Sequence, residues 1–241
     1  MSSRGGNKYM LIIKRIQTAI FVRNFQIANE YEKSKILLEL NNKVGDIFSG
    51  NPTLIPVPSD APGDIPRIVI NSNENLYSAN IAPNRIDIFS NLDKNLDENN
   101  TSLFENHKQN SLKLFNFIKT YSASAIINRV GFSLVCESTQ ADSVNFVKSN
   151  FFKESKVDNI KELSFRYNKS SVLNESGFNI EFNNIVEVFA RNNNSIGFIA
   201  DVNTVAENMN IYNFDSTILE KIINHAIQKE KDLISNFPKI D

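Results

Sequence analysis

The sequence holds one cysteine, Cys136, so no disulfide can form within the chain, which agrees with a reducing compartment. It has only 8 glycines, and neither G-x-G-x-x-G nor a P-loop occurs, which argues against a glycine-rich phosphate cradle. His107 and His225 are the only histidines, without H-E-x-x-H or Cys/His zinc spacing, and no G-x-S-x-G elbow is present. These absences count against NTPases, dinucleotide enzymes and zinc hydrolases. There is also no excess of either charge: 26 basic residues almost cancel 27 acidic ones, so no global field favours nucleic acid or an acidic membrane. The apolar run from Tyr9 to Val22 is broken by Lys14, Arg15 and Gln17, which excludes a membrane span, and no signal-peptide pattern follows. A soluble, cytoplasmic protein that makes no membrane contact and holds no cofactor is expected.

What is present is ordinary globular composition, 41% hydrophobic and 22% charged over 241 residues. The segment from Ala61 to Ser90 reads as three short strands, Pro66–Asn71, Leu76–Asn80 and Arg85–Phe89, separated by turns rich in Ser, Asn and Pro. Ile68, Ile70, Ile86 and Ile88 alternate with Arg67, Asn71, Arg85 and Asp87, so one face can be buried and the other stays polar. Before them come a strand over Tyr9–Val22, a helix over Ala28–Phe48 and a proline-rich extended crossing over Thr53–Asp64. Residues 1–8 are polar and expected to be flexible. Asn91–Asn100 reads as a loop before a helix over Ser102–Tyr121, whose Ser102 and Glu105 have capping-box spacing.

The same order then starts again. A strand over Ala125–Glu137 and a helix over Ala141–Phe152 precede strands at Leu163–Tyr167, Phe178–Arg191 and Ile196–Val202. A last helix, Thr217–Asn236, has the clearest amphipathic face, with Thr217 and Glu220 spaced as a capping box. The fold class expected is α+β: two pseudo-repeated βαβββα units, 9–121 and 125–237, forming antiparallel sheets with helices packed on one face. The two sheets would meet side by side in one compact domain.

Ala61-Pro62-Gly63-Asp64-Ile65-Pro66-Arg67-Ile68-Val69, followed by Asn84-Arg85-Ile86-Asp87-Ile88, resembles an APxEIPR-like motif and its following strand. That motif marks a group of sporadically distributed bacterial proteins of unknown function. Asn128, Arg129, Val130 and Gly131, then Asp201 at a strand end and a final amphipathic helix, extend the resemblance in outline. Asp64 stands where the motif has glutamate, and Gly131-Phe132-Ser133-Leu134 departs from its Arg-Tyr-x-Asn pattern. The resemblance implies a bacterial origin, and the patchy distribution of such proteins is similar to that of defence or toxin–antitoxin genes.

No catalytic or metal-binding residue is assigned from the sequence. His107 and His225 read as structural histidines, and Cys136 as a small buried hydrophobe. Asp93, Asn95 and Asp97 open with calcium-loop spacing, but Glu98 replaces the glycine of the turn, leaving a solvated acidic loop as the better account. The binding-surface candidates are Asp64, Arg67, Arg85, Asp87, Glu187, Arg191 and Asp201, placed by alternation on the polar face of the strands. A basic patch of Lys148, Lys153, Lys156, Lys161, Arg166 and Lys169, interleaved with aromatics, is a weaker candidate for nucleic acid. The expected function is a non-enzymatic binding or regulatory protein with a protein partner, belonging to a bacterial defence or toxin–antitoxin system. The alternatives are a small-molecule sensor with its pocket between the halves, and a metal-dependent hydrolase or nuclease using Asp64, Asp87 and Asp201. Self-association through an edge strand or the last helix is compatible with the pattern.

Overall fold

The computed structural model describes residues 11–27, 29–58, 60–95, 101–139, 142–152, 160–175, 178–191, 194–205 and 213–235. Their elements run β1 (Ile12–Arg23), α1 (Glu30–Val44), β2 (Thr53–Leu54), β3 (Ile68–Asn71), β4 (Tyr77–Ile81), β5 (Arg85–Asn95), α2 (Thr101–Tyr121), β6 (Ile126–Thr139), α3 (Ser143–Phe151), β7 (Glu162–Glu175), β8 (Phe178–Arg191), β9 (Ser195–Thr204) and α4 (Ser216–Ser235). The expected N-terminal segment 1–8 lies outside the described residues.

The class is α+β, but the strands make one sheet rather than two. The order is β2-β3-β4-β5-β1-β6-β9-β8-β7, with every pairing antiparallel. β1 and β6 pair along nearly their whole length at the centre, from Ile12 opposite Glu137 to Arg23 opposite Ile126. The reason is visible in their sequence. Ile16, Thr18 and Ile20 on β1 and Val130, Phe132 and Leu134 on β6 are all buried and share one face, so separating the strands would expose both rows.

Helices cover that face only. α2 lays Phe104, His107, Leu114, Phe115 and Ile118 against it, and α4 lays Leu219, Ile222, Ile223 and Ala226. The outer helices pack at the flanks: α1 turns Ile36, Leu40 and Val44 inward, and α3 meets β7 through Phe151 stacked on Phe165 at 5.0 Å. Lys108, almost fully buried, joins the two central helices by reaching Glu105 at 2.8 Å, Asn224 at 3.2 Å and Glu220 at 3.6 Å. The other face of the sheet carries no helix among the described residues.

Several boundaries differ from those expected. β5 does not stop at Phe89: Asn91, Lys94 and Asn95 continue the ladder with β1, and Asp93 takes an ion pair from Lys14 at 2.8 Å, so the acidic stretch is strand as far as Asn95. β7 runs to Glu175 rather than Tyr167 because β8 supplies a partner for every residue of the polar run Asn168–Ser171. α1 ends at Val44, with Gly45 donating back to Asn41. Neither expected capping box forms. Asp215 Oδ1 accepts from the Ile218 N–H at 2.8 Å and caps α4, while the Glu105 carboxylate is taken by Lys108 and Gln109.

Candidate functional site

Alternation along the four central strands puts a polar set on the uncovered face. β1 contributes Arg15, Gln17, Ala19 and Phe21, and the register places Phe89, Asp87 and Arg85 of β5 beside the last three. On the other side Ser133, Gly131 and Arg129 of β6 stand opposite Gln17, Ala19 and Phe21, and Asp201 and Asn203 of β9 stand opposite Ser133 and Gly131. Glu187 lies one strand further out, between Ile199 of β9 and Arg166 of β7.

The side chains form a connected network. Asp87 Oδ1 accepts from Gln17 Nε2 at 2.8 Å and from Arg85 Nε at 2.9 Å, and Ser133 Oγ donates to Gln17 Oε1 at 3.5 Å. The Phe21 ring lies under two guanidinium groups: Arg129 Cζ is 4.5 Å from its centroid and Arg85 Cζ 5.3 Å. Arg15 stands similarly over Phe89 at 5.5 Å. Burial holds the Asp201 carboxyl above its ordinary range, opposed by a hydrogen bond from Asn203 and by the positive charges of Arg129, Arg166 and Arg85.

Within this network Arg129 is exceptional. Its Nε is buried without a hydrogen-bond partner, and the guanidinium makes no hydrogen bond to a described residue. Beside it the floor is low, because Ala19 and Gly131 are paired directly. A Cβ added at Gly131 would meet only Asn203 Cβ at 3.5 Å and Ala19 Cβ at 3.8 Å, ordinary contacts, so neither packing nor backbone conformation requires glycine there. A strand glycine of this kind often marks close approach by another group.

Of the residues proposed from the sequence, Arg85, Asp87, Asp201 and Glu187 do share the open face. Arg67 does not. It is 6% exposed, and its guanidinium donates to the carbonyls of Ile65 at 2.8 Å and Ala61 at 3.0 Å, so it fixes the proline-rich approach to β3. Asp64 is exposed on that approach, and the Arg191 side chain lies outside the described part. Arg129, Gln17 and Phe21 were not among the candidates. The alternation that places Val130, Phe132 and Leu134 inward already turns Arg129 outward, but the partners on β1 become visible only with the register.

The described members of the basic patch on β7 do not share one face. Arg166 faces the open side, whereas Lys169 alternates to the helix side, with its Nζ over Tyr167 at 5.4 Å. Lys153 and Lys156 lie outside the described residues. Phe152, Phe165 and Tyr167 pack on one another, with centroids 5.9 and 5.7 Å apart. No three His, Cys, Asp or Glu side chains among the described residues gather as metal ligands, and Asp64, Asp87 and Asp201 do not form a cluster.

The remaining reactive groups are packed away. His107 is completely buried, with Nε2 2.9 Å from Thr18 Oγ1 and Nδ1 2.7 Å from Ser90 Oγ, and burial pushes its imidazole down to about 3. Burial likewise raises the Cys136 thiol, helped by the charge of Glu230. His225 is 3.2 Å from Ser171 Oγ and 4.7 Å from the Phe182 ring centroid, with its imidazole lowered by burial and then by Lys229. A recess of about 370 Å³ lies away from the β1–β6 seam, lined by Asp46, Ser72, Glu74 and Tyr77 among others. No helix among the described residues is long and apolar enough to cross a membrane. Comparison with family models, with curated proteins and with solved structures finds no match to this chain.

Proposed function

We propose that the chain is a non-enzymatic binding or regulatory protein whose recognition surface is the open face over β5, β1, β6 and β9. The observation that carries this reading is the buried Nε of Arg129, which has no hydrogen-bond partner, set beside the low floor of Ala19 and Gly131. A half-buried cation with no acceptor among the described residues suits a carboxylate supplied from outside, because planar Arg–carboxylate pairing is bidentate and charge-assisted. The partner we infer is a protein presenting an acidic side chain. Asp87, Asp201 and Glu187 on the same face disfavour the closely spaced phosphates of a nucleic acid.

Membership of a bacterial defence or toxin–antitoxin system remains part of the proposal, supported by the motif at Ala61–Val69 and Asn84–Ile88. So does an origin by duplication. It is supported by the strand order, which reads outward as β5, β4, β3 from β1 and as β9, β8, β7 from β6.

The test is affinity capture with the chain as bait. Arg129→Gln should reduce recovery of a stoichiometric partner by about tenfold or more, since a desolvated charge pair sits at the centre of the contact. Gly131→Ala should weaken recovery as well while leaving the melting temperature equal or higher. Reversal of Lys113 on the helix side, Lys113→Glu, should change nothing. Recovery of no partner, or equal recovery by wild type and Arg129→Gln, would remove the assignment.

A further inference from the structure

We propose that β7 is a dimerisation edge that pairs antiparallel with β7 of a second copy in a register centred on Asn168. The two edges of the sheet are built differently. β2 is only 2 residues long and lies between Pro52 and Pro56, which is how an edge is kept from recruiting another strand. β7 is 14 residues long, contains neither proline nor glycine, and follows β8 without a bulge from Glu162 to Glu175. Among the described residues nothing pairs with its outer side. Val172, 44% exposed, adds an apolar side chain to that edge.

The sequence of β7 selects both the occupant and the register. A two-fold axis normal to the sheet keeps the helix-covered face continuous across two copies, and it allows only registers centred on a residue. Centring on Asn168 sets Lys161, the residue just before the strand, opposite Glu175 at both ends, Leu163 opposite Leu173, and Tyr167 opposite Lys169. Glu175 is already held in place by Lys221 at 2.7 Å. Centring on Lys169 would set two ammonium groups against each other. Centring on Tyr167 would leave Lys161 opposite Leu173 and Phe165 opposite Lys169. Opposite charges and apolar pairs directly across a ladder stabilise it, and like charges oppose it. The Asn168 register alone among these matches both, so a second copy of this chain is the partner that the edge fits.

Sedimentation of the full chain across a concentration series should show a doubled mass. Asn168→Cys should form an interchain disulfide on mild oxidation, because directly opposed strand residues have Cα atoms within disulfide range. Ser164→Cys, which this register sets opposite Val172, should stay uncrosslinked, and the native Cys136 is buried and gives no background. A monomer at every concentration would overturn the proposal. So would a dimer in which Asn168→Cys fails to crosslink, or one in which both variants crosslink equally.

Discussion

At the scale of single residues, the buried polar groups separate into those that are matched and those that are not. His107 is matched: both ring nitrogens face hydroxyls, from Thr18 on β1 and Ser90 on β5, and Phe132 packs edge-on to the ring at 5.5 Å. A neutral imidazole satisfies this site as one donor and one acceptor, whereas an imidazolium would bury a charge with no counter-charge. Its folded value of about 3 lies below the ordinary 6.5, so between these values the unfolded chain binds the extra proton. The stabilisation is complete above pH 6.5 and is lost as pH falls towards 3. Urea titrations from pH 7 to pH 4 should therefore give a steeper loss of stability for wild type than for His107→Gln. The difference in slope should approach one proton, about 1.4 kcal/mol per pH unit. Identical slopes would show that His107 is not the titrating group. At neutral pH the variant should lose about 1–3 kcal/mol through imperfectly replaced hydrogen bonds.

At the scale of elements, what could be read from the sequence depended on burial. β1, β6 and β8 carry long alternating or continuous apolar patterns and were legible, as were the stripes of α2 and α4. The far ends of β5 and β7 were not, because Asn91–Asn95 and Asn168–Ser171 are polar and belong to strands through backbone pairing alone. Periodicity records which side chains are buried, and it is silent where neither side is. The polar site follows the same rule: alternation exposed Arg85 and Asp87, but Arg67, at the entry to β3, turns back to local carbonyls.

On α4 the buried stripe extends to a carboxyl group. Leu219, Ile222, Ile223 and Ala226 continue at helical spacing to Glu230, which is fully buried with both carboxylate oxygens unpartnered. Burial, and secondly the charge of Asp201, hold this carboxyl well above its usual range. The folded state therefore keeps a proton that the unfolded chain releases, so this group's contribution falls as pH rises from 4.5 through its raised folded value. Glu230→Met should stabilise the protein by about 1–3 kcal/mol at pH 8, measured by urea unfolding, since it removes an unsatisfied buried group and keeps the volume. The gain should shrink at pH 5. A destabilised variant would mean that the carboxyl has a partner in solution.

At the scale of the whole molecule, the seam between β1 and β6 governs how the chain folds. Each strand has a ladder on both sides: β1 with β5 from its own half and β6 from the other, β6 with β9 and β1. Cutting the chain between α2 and β6 would leave two sheets, each with a long, unprotected edge strand flanked by apolar side chains. It would also break the α2–α4 contact at Lys108 and the bond from Lys119 Nζ to Asn213 Oδ1 at 3.0 Å. Such edges associate readily and cannot be covered by local rearrangement. The intact protein should thus unfold in urea in one transition, with far-UV circular dichroism and tyrosine fluorescence superimposing. Residues 1–123 and 124–241 expressed separately should aggregate or remain unfolded, and coexpression should recover a complex with the wild-type spectrum. Two resolved transitions, or a native-like spectrum from either half alone, would mean that the halves are stable without the seam. The open polar face, too, is assembled only in the intact chain, because Arg85 and Asp87 reach Arg129 and Asp201 across that pairing.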